Sequence, residues 1–193
     1  DAREYDGFEE EAAVEDLAAD GLLAPELALL ANDDAIGPLN VTRTLGFNPE
    51  SGVYEELYAF GARSFSIWTA AGTQVYDSGD DFEQRTQSLP NVQFNASNSG
   101  NSFDNRSDNK GPEPEGVVIG RLGRKTFAFI GLERVGGVMV YDVTNPSNPT
   151  FETYINTRSG GSGDLGPEGL TFVEARHSPS KRPLLIVGFE ISG

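Results

Sequence analysis

From residue 39 onward the apolar residues fall into short runs, many of them alternating with polar positions, and turn-forming residues punctuate them. That texture predicts β-strands joined by tight connections. VYEELYAFGA leads into SFSIWTAAGTQVYDSG, where Ala70, Ala71 and Gly72 predict a hairpin turn between Phe65–Trp68 and Gln74–Tyr76. A polar loop rich in Asn, Ser, Asp and Gly then covers 79–112. Beyond it the pattern predicts three more hairpins, turning at Leu122–Arg124, at Asn145–Pro149 and near Ser178–Arg182. Everything after 40 reads as hairpins. Residues 8–31 differ: acids crowd a first turn, Val14, Leu17 and Ala18 share a face, Gly21 interrupts, and Pro25 can open a second short helix with Leu27 and Leu30 inward. This is the one helical region predicted, and it divides the chain into an acidic helical insertion or linker at 1–36 and a β region at 37–193.

The hairpins repeat. Glu115-Gly116 and Glu168-Gly169 each open an apolar run, 53 residues apart, while Ile130-Gly131-Leu132-Glu133 and Val187-Gly188-Phe189-Glu190 each close the following run, 57 apart. An earlier unit, AFGARSFSIW, matches FIGLERVGGVMVY and places Arg63 where the later copies have glutamate. Four antiparallel strands per unit, repeated at this spacing, predict β-propeller blades. The chain then holds an incomplete unit, a complete one at about 115–156, and one cut off after its second strand. The expected fold is all-β: about two to three four-stranded blades of a larger propeller, incomplete at both ends, with a short helical insertion. Its open edges would be covered by remaining blades of the same propeller or by neighbouring chains.

Charge narrows the chemistry. Thirty acidic residues against fourteen basic ones give a net charge of −16, which disfavours nucleic acid and favours cations, or serves solubility alone. No cysteine is present, so a metal site would be built from oxygen. No apolar run reaches the ~20 residues that span a bilayer, so membrane insertion of this segment is not expected.

In a blade the first strand leaves one rim of the central channel and the second returns to it. Glu115 is therefore expected beside Glu133, and Glu168 beside Glu190, at one rim. Just ahead of the first pair, FDNRSDNKGPEPEG supplies Asp104, Asp108 and Glu113 on a loop stiffened by Pro112 and Pro114. Converging carboxylates repel unless neutralised, and a hard cation with oxygen ligands, calcium above all, is one means. Arg63, Arg106, Arg134 and Lys110 lie in or beside the same motifs, so a ring of ion pairs is the other. Other motifs are weaker. Gly161, Gly163 and Gly166 spell a dinucleotide fingerprint, but a strand rather than a helix follows them, and GRLGRKT sits in a hairpin turn without P-loop spacing. The single histidine, His177, lies in a turn and no G-x-S-x-G occurs, which argues against a histidine-dependent hydrolase.

YAFGARSFSIW, YDSGDDFE, FDNRSDNKGPEPEG, FIGLERVGGVMVYDVTNP and DLGPEGL together resemble the choice-of-anchor I proteins, secreted or surface-attached bacterial β-propellers similar to the mesenchyme-specific cell-surface glycoproteins of echinoderms. The resemblance runs from about 33 to 193 in ordered blocks. It implies an extracellular, cell-surface or periplasmic location. Members are often described as alkaline-phosphatase-like or phytase-like, and phytase-type propellers hold calcium with channel-mouth acids. By fold-level analogy Glu115, Glu133, Glu168 and Glu190 occupy comparable places. Two functions follow as expectations: a calcium-binding propeller with a structural, adhesion or surface-assembly role, or a metal-dependent phosphoesterase in which Arg63, Arg106 and Arg134 face phosphate.

Overall fold

A computed structural model describes residues 4, 5, 8–61, 63–100 and 102–193. The chain divides into two compact units, one formed by Asp1–Gly61 with Ser107–Lys110, the other by Ala62–Arg106 with Gly111–Gly193.

The first unit contains β1 (Glu4–Tyr5), β2 (Phe8–Glu9), β3 (Glu11–Ala13), α1 (Val14–Ala19), α2 (Pro25–Ala28), β4 (Asn40–Thr42), β5 (Phe47–Asn48) and β6 (Val53–Tyr54). The helix expected from residue 8 begins only at Val14. Residues 11–13 pair antiparallel with β4 instead, because strand hydrogen bonds to 40–42 override a weak local helical preference. Val14 and Leu17, one helical turn apart, bury their side chains with Leu23, Val41 and Tyr54. The Tyr54 hydroxyl donates to the Arg43 carbonyl at 2.9 Å, so the one polar atom this ring brings inward is satisfied.

The second unit is built on antiparallel sheet. It comprises β7 (Ser66–Trp68), β8 (Gln74–Asp77), α3 (Asp81–Ser88), β9 (Pro114–Leu122), β10 (Lys125–Leu132), β11 (Val138–Asp142), β12 (Thr150–Ile155), β13 (Pro167–Val173) and β14 (Leu184–Phe189). Strands β9 to β12 form one four-stranded sheet in sequence order, β7 pairs with β8, and β13 pairs with β14. The turns fall where the sequence places them. Gly123, at φ +63°, supplies the left-handed residue of the β9–β10 hairpin. Helix α3 departs from the expectation of an unstructured loop at 79–112. Asp81 and Glu83 occupy its first turn, Arg85 its last, and Phe82 and Thr86 are fully buried on one face.

Strict alternation gives the four-stranded sheet two apolar faces. Ala128, Ile130, Leu132, Met139 and Tyr141 point to one side and pack with Phe82 and Val135. Phe129, Val138 and Val140 point to the other and pack with Leu170, Phe172, Leu185 and Val187, so the β13–β14 pair lies face to face on this sheet. Glycine sets the closeness of that contact. A Cβ at Gly116 would stand 2.4 Å from the Glu168 carbonyl oxygen, and one at Gly120 would stand 2.5 Å from the Phe172 ring. On β9, therefore, Gly116, Val118 and Gly120 face β13, while Glu115, Val117 and Ile119 face away from it.

Candidate functional site

The end of the acidic loop closes onto the start of the β10–β11 connection through the backbone. Glu133 N donates to the Glu113 carbonyl at 2.8 Å, and Pro114 registers opposite Leu132. Pro112 is fully buried, and Glu113 adopts a left-handed φ of +52°, uncommon outside glycine. These constraints aim the Glu113 side chain inward, where it is 7% exposed.

A charged chain of contacts results. Glu113 accepts a hydrogen bond from Arg106 Nη2, and its Oε1 lies 3.4 Å from Arg134 Nε. Arg134 Nη2 in turn reaches Glu133 Oε1 at 3.0 Å. Glu133 also lies against the carboxyl of Glu115, within reach of a hydrogen bond that a proton on Glu133 supplies. Burial, that hydrogen bond and the nearby charges of Glu113 and Glu115 push the Glu133 carboxyl up to about 7, against the opposing pull of Arg134. Next to this chain, Glu83 Oε1 accepts from Arg63 Nη1 at 2.8 Å and from Asn95 Nδ2 at 2.7 Å. The backbone of Arg106 donates to the Asn95 carbonyl at 2.9 Å, so the two groups share one framework.

The structure thus brings Glu113, Glu115 and Glu133 together with Arg106 and Arg134, while Arg63 goes to Glu83. The remaining acids are elsewhere. Glu168 and Glu190 are exposed at adjoining ends of β13 and β14, and among the described residues neither side chain makes a hydrogen bond or ion pair. Asp104 is exposed in a turn at φ +67°, its backbone donating to the Phe94 carbonyl. Asp108 and Lys110 belong to the first unit, where the Asp108 carbonyl accepts from Asn40 N at 2.8 Å and the stem of Lys110 passes Gly61. Among the described residues no group of three or more acids or histidines is arranged to hold a metal ion.

Two further polar features escaped the sequence reading. Arg158, 9% exposed, turns its guanidinium onto backbone: Nε donates to the Gly160 carbonyl at 2.6 Å, Nη1 to Arg134 at 2.6 Å and Val135 at 3.3 Å, and Nη2 to Ser97 at 2.7 Å and Gly100 at 2.5 Å. No carboxylate faces it among the described residues, and burial lowers its pKa. Three loops are tied to one planar fork. Asp81 accepts both from Arg85 Nε at 2.7 Å and from the Tyr141 hydroxyl, and burial with this carboxylate raises the Tyr141 pKa. The segment NTRSGG around Arg158 carries no motif that announces this role, whereas the acids opening α3 with Phe82 and Thr86 four apart are a legible helix signal inside a loop-like composition.

A groove of about 450 Å³ opens beside the acid pair, between Phe65 and Ile67 on one side and the Val117, Ile119 and Ile130 face of β9–β10 on the other, with Glu115 in its wall. No helix among the described residues is long and apolar enough to cross a membrane.

A family model described as "Choice-of-anchor I domain" matches residues 1–146. Among curated proteins, "Gigasin-3a" of Magallana gigas is 29% identical over 180 residues, covering 82% of this chain and 62% of that protein. "Mesenchyme-specific cell surface glycoprotein" of Strongylocentrotus purpuratus is 26% identical over 165 residues, covering 75% of this chain and 21% of that protein. The chain therefore spans less than two thirds of the length of either relative. No solved structure matches it.

Proposed function

Given that the chain belongs to the choice-of-anchor I domain family, we propose that it is part of an extracellular or cell-surface β-propeller with a structural or adhesive role. A relative named as a cell surface glycoprotein supports the location. Support for the propeller comes from the second unit, where a four-stranded sheet in sequence order carries the next hairpin stacked on its face, as one blade carries its neighbour.

The observation that carries the structural role is the neutralisation of Glu113 by Arg106 and Arg134. Of the two ways to hold converging acids together, ion pairing is the one these side chains adopt, although the buried Nε atoms of Arg106 and Arg134 make no hydrogen bond among the described residues. Calcium takes six to eight oxygens, and Glu113 and Glu133 are engaged by arginine and by a neighbouring carboxyl. As arranged, the cluster does not fit that ion. The arginines nominated for phosphate are engaged as well, Arg63 by Glu83 and Arg134 by two glutamates. In this reading the cluster locks Arg106 and the segment 111–116 to the end of β10 and presents a rigid acidic rim to a partner.

The test uses the protein in its native length. Labelling of intact cells with a membrane-impermeant amine reagent is expected to modify the protein without lysis, and p-nitrophenyl phosphate is expected to be untouched with or without calcium. Labelling only after lysis would contradict the location, and calcium-dependent turnover lost in Glu115→Gln would contradict the structural role.

A further inference from the structure

The groove beside the acid pair has features that the structural role does not use. Strand β9 is the edge of its sheet, and its alternation puts Val117 and Ile119 into the groove at 62% and 56% exposure. An exposed apolar strand face of this kind marks a binding surface more often than an isolated apolar residue does. The volume, about 450 Å³, lies in the range of small-molecule sites. Its walls are mainly apolar, with Ser64 and Ser66 as polar exceptions, and among the described residues the one charged side chain in them is the carboxylate of Glu115.

That single charge selects the occupant. An anion would meet a carboxylate with no lysine or arginine in the wall, on a protein of net charge −16. A metal ion would find one acid and too few oxygens. An organic ammonium satisfies both parts: its N–H groups donate to Glu115 while an apolar body covers Ile67, Val117 and Ile119. We propose that this groove binds a small organic ammonium with an apolar body, held at its cationic end by Glu115.

Binding is linked to protons. Glu115 lies against the carboxyl of Glu133, and Glu133 faces Glu113 and Arg134, with Arg106 on the far side of Glu113. The ammonium on Glu115 brings a positive charge beside Glu133 and so competes with the proton that the Glu133 carboxyl holds below about 7. Occupancy of the groove therefore releases that proton, and affinity rises with pH through neutrality.

The experiment compares hexylammonium, hexanol and hexanoate by NMR shift perturbation of the full chain. At pH 8 hexylammonium is expected to saturate the groove at least about tenfold more tightly than hexanol, with hexanoate weakest, and to lose about tenfold in affinity at pH 6. Glu115→Gln is expected to bring the ammonium down to the level of hexanol while leaving hexanol unchanged. Ile119→Ser is expected to weaken both without changing their ratio. Equal affinities for ammonium and alcohol in the native protein, a preference that survives Glu115→Gln, or shifts outside the groove residues would overturn the proposal.

Discussion

Glu115 and Glu133, at the start of β9 and just past the end of β10, meet carboxyl to carboxyl across the hairpin that joins these strands. The hairpin returns the chain to its starting rim, so two acids eighteen positions apart become neighbours. The burial of Glu133, beside an exposed Glu115, then makes protonation, rather than ionisation, the ordinary state of Glu133 at mildly acidic pH.

This pair gives stability a pH dependence of definite sign. The Glu133 carboxyl sits near 7 in the folded chain and at its ordinary value of 4.5 when unfolded. Between these values the folded state holds more protons, so its contribution falls as pH rises through the window and is smallest above it. Glu133→Gln is expected to be more stable than the native chain at pH 8 and to lose this slope between 4.5 and 7. Thermal unfolding at half-unit pH steps checks both, at roughly 2–4 °C for each kcal/mol.

Removing the Glu113 carboxylate strands Arg106 and leaves Arg134 with Glu133 as its one remaining carboxylate. Glu113→Gln is expected to cost about 2–4 kcal/mol, between the worth of a charged hydrogen bond and that of a broken buried ion pair. Arg106→Met in the same background is expected to cost less than it does alone. A double-mutant cycle in denaturant measures the difference.

The stacking of β13–β14 on the larger sheet depends on missing side chains. Gly120→Val would drive a methyl into the Phe172 ring and is expected to cost about 1–3 kcal/mol, partly restored by Phe172→Ala. Amide exchange in β13 and β14, compared with β11, locates the damage.

Arg158→Lys is expected to behave nearly as badly as Arg158→Met, with a loss of at least about 2 kcal/mol, because an ammonium has three donors and no planar fork to span the carbonyls of Ser97, Gly100, Arg134 and Gly160. Equal stability of the lysine variant and the native chain would show that charge, not the fork, is what the loops need.

The hairpins were legible in the sequence because their signals are local: alternation sets the strands, and residues such as Gly123 and Ala70-Ala71-Gly72 set the turns. The repeat of Glu115-Gly116 and Glu168-Gly169 located both sheets, and hairpin geometry alone placed Glu115 beside Glu133. What the sequence could not decide was which arginine meets which acid. Arg63 aligns with glutamates of later units yet pairs with Glu83 from α3, a helix hidden in loop-like composition. The extended 11–13 segment was missed for a related reason: its partner, β4, lies some thirty residues away, and local preference carries no trace of that pairing.

The central claim, that the rim acids are held by arginine and by a proton on Glu133, is tested most directly by a carboxyl carbon-13 NMR titration of Glu133 in the presence and absence of millimolar calcium. The account predicts a midpoint near 7 that calcium leaves in place. A midpoint near 4.5, or one that calcium pulls sharply down, would contradict it.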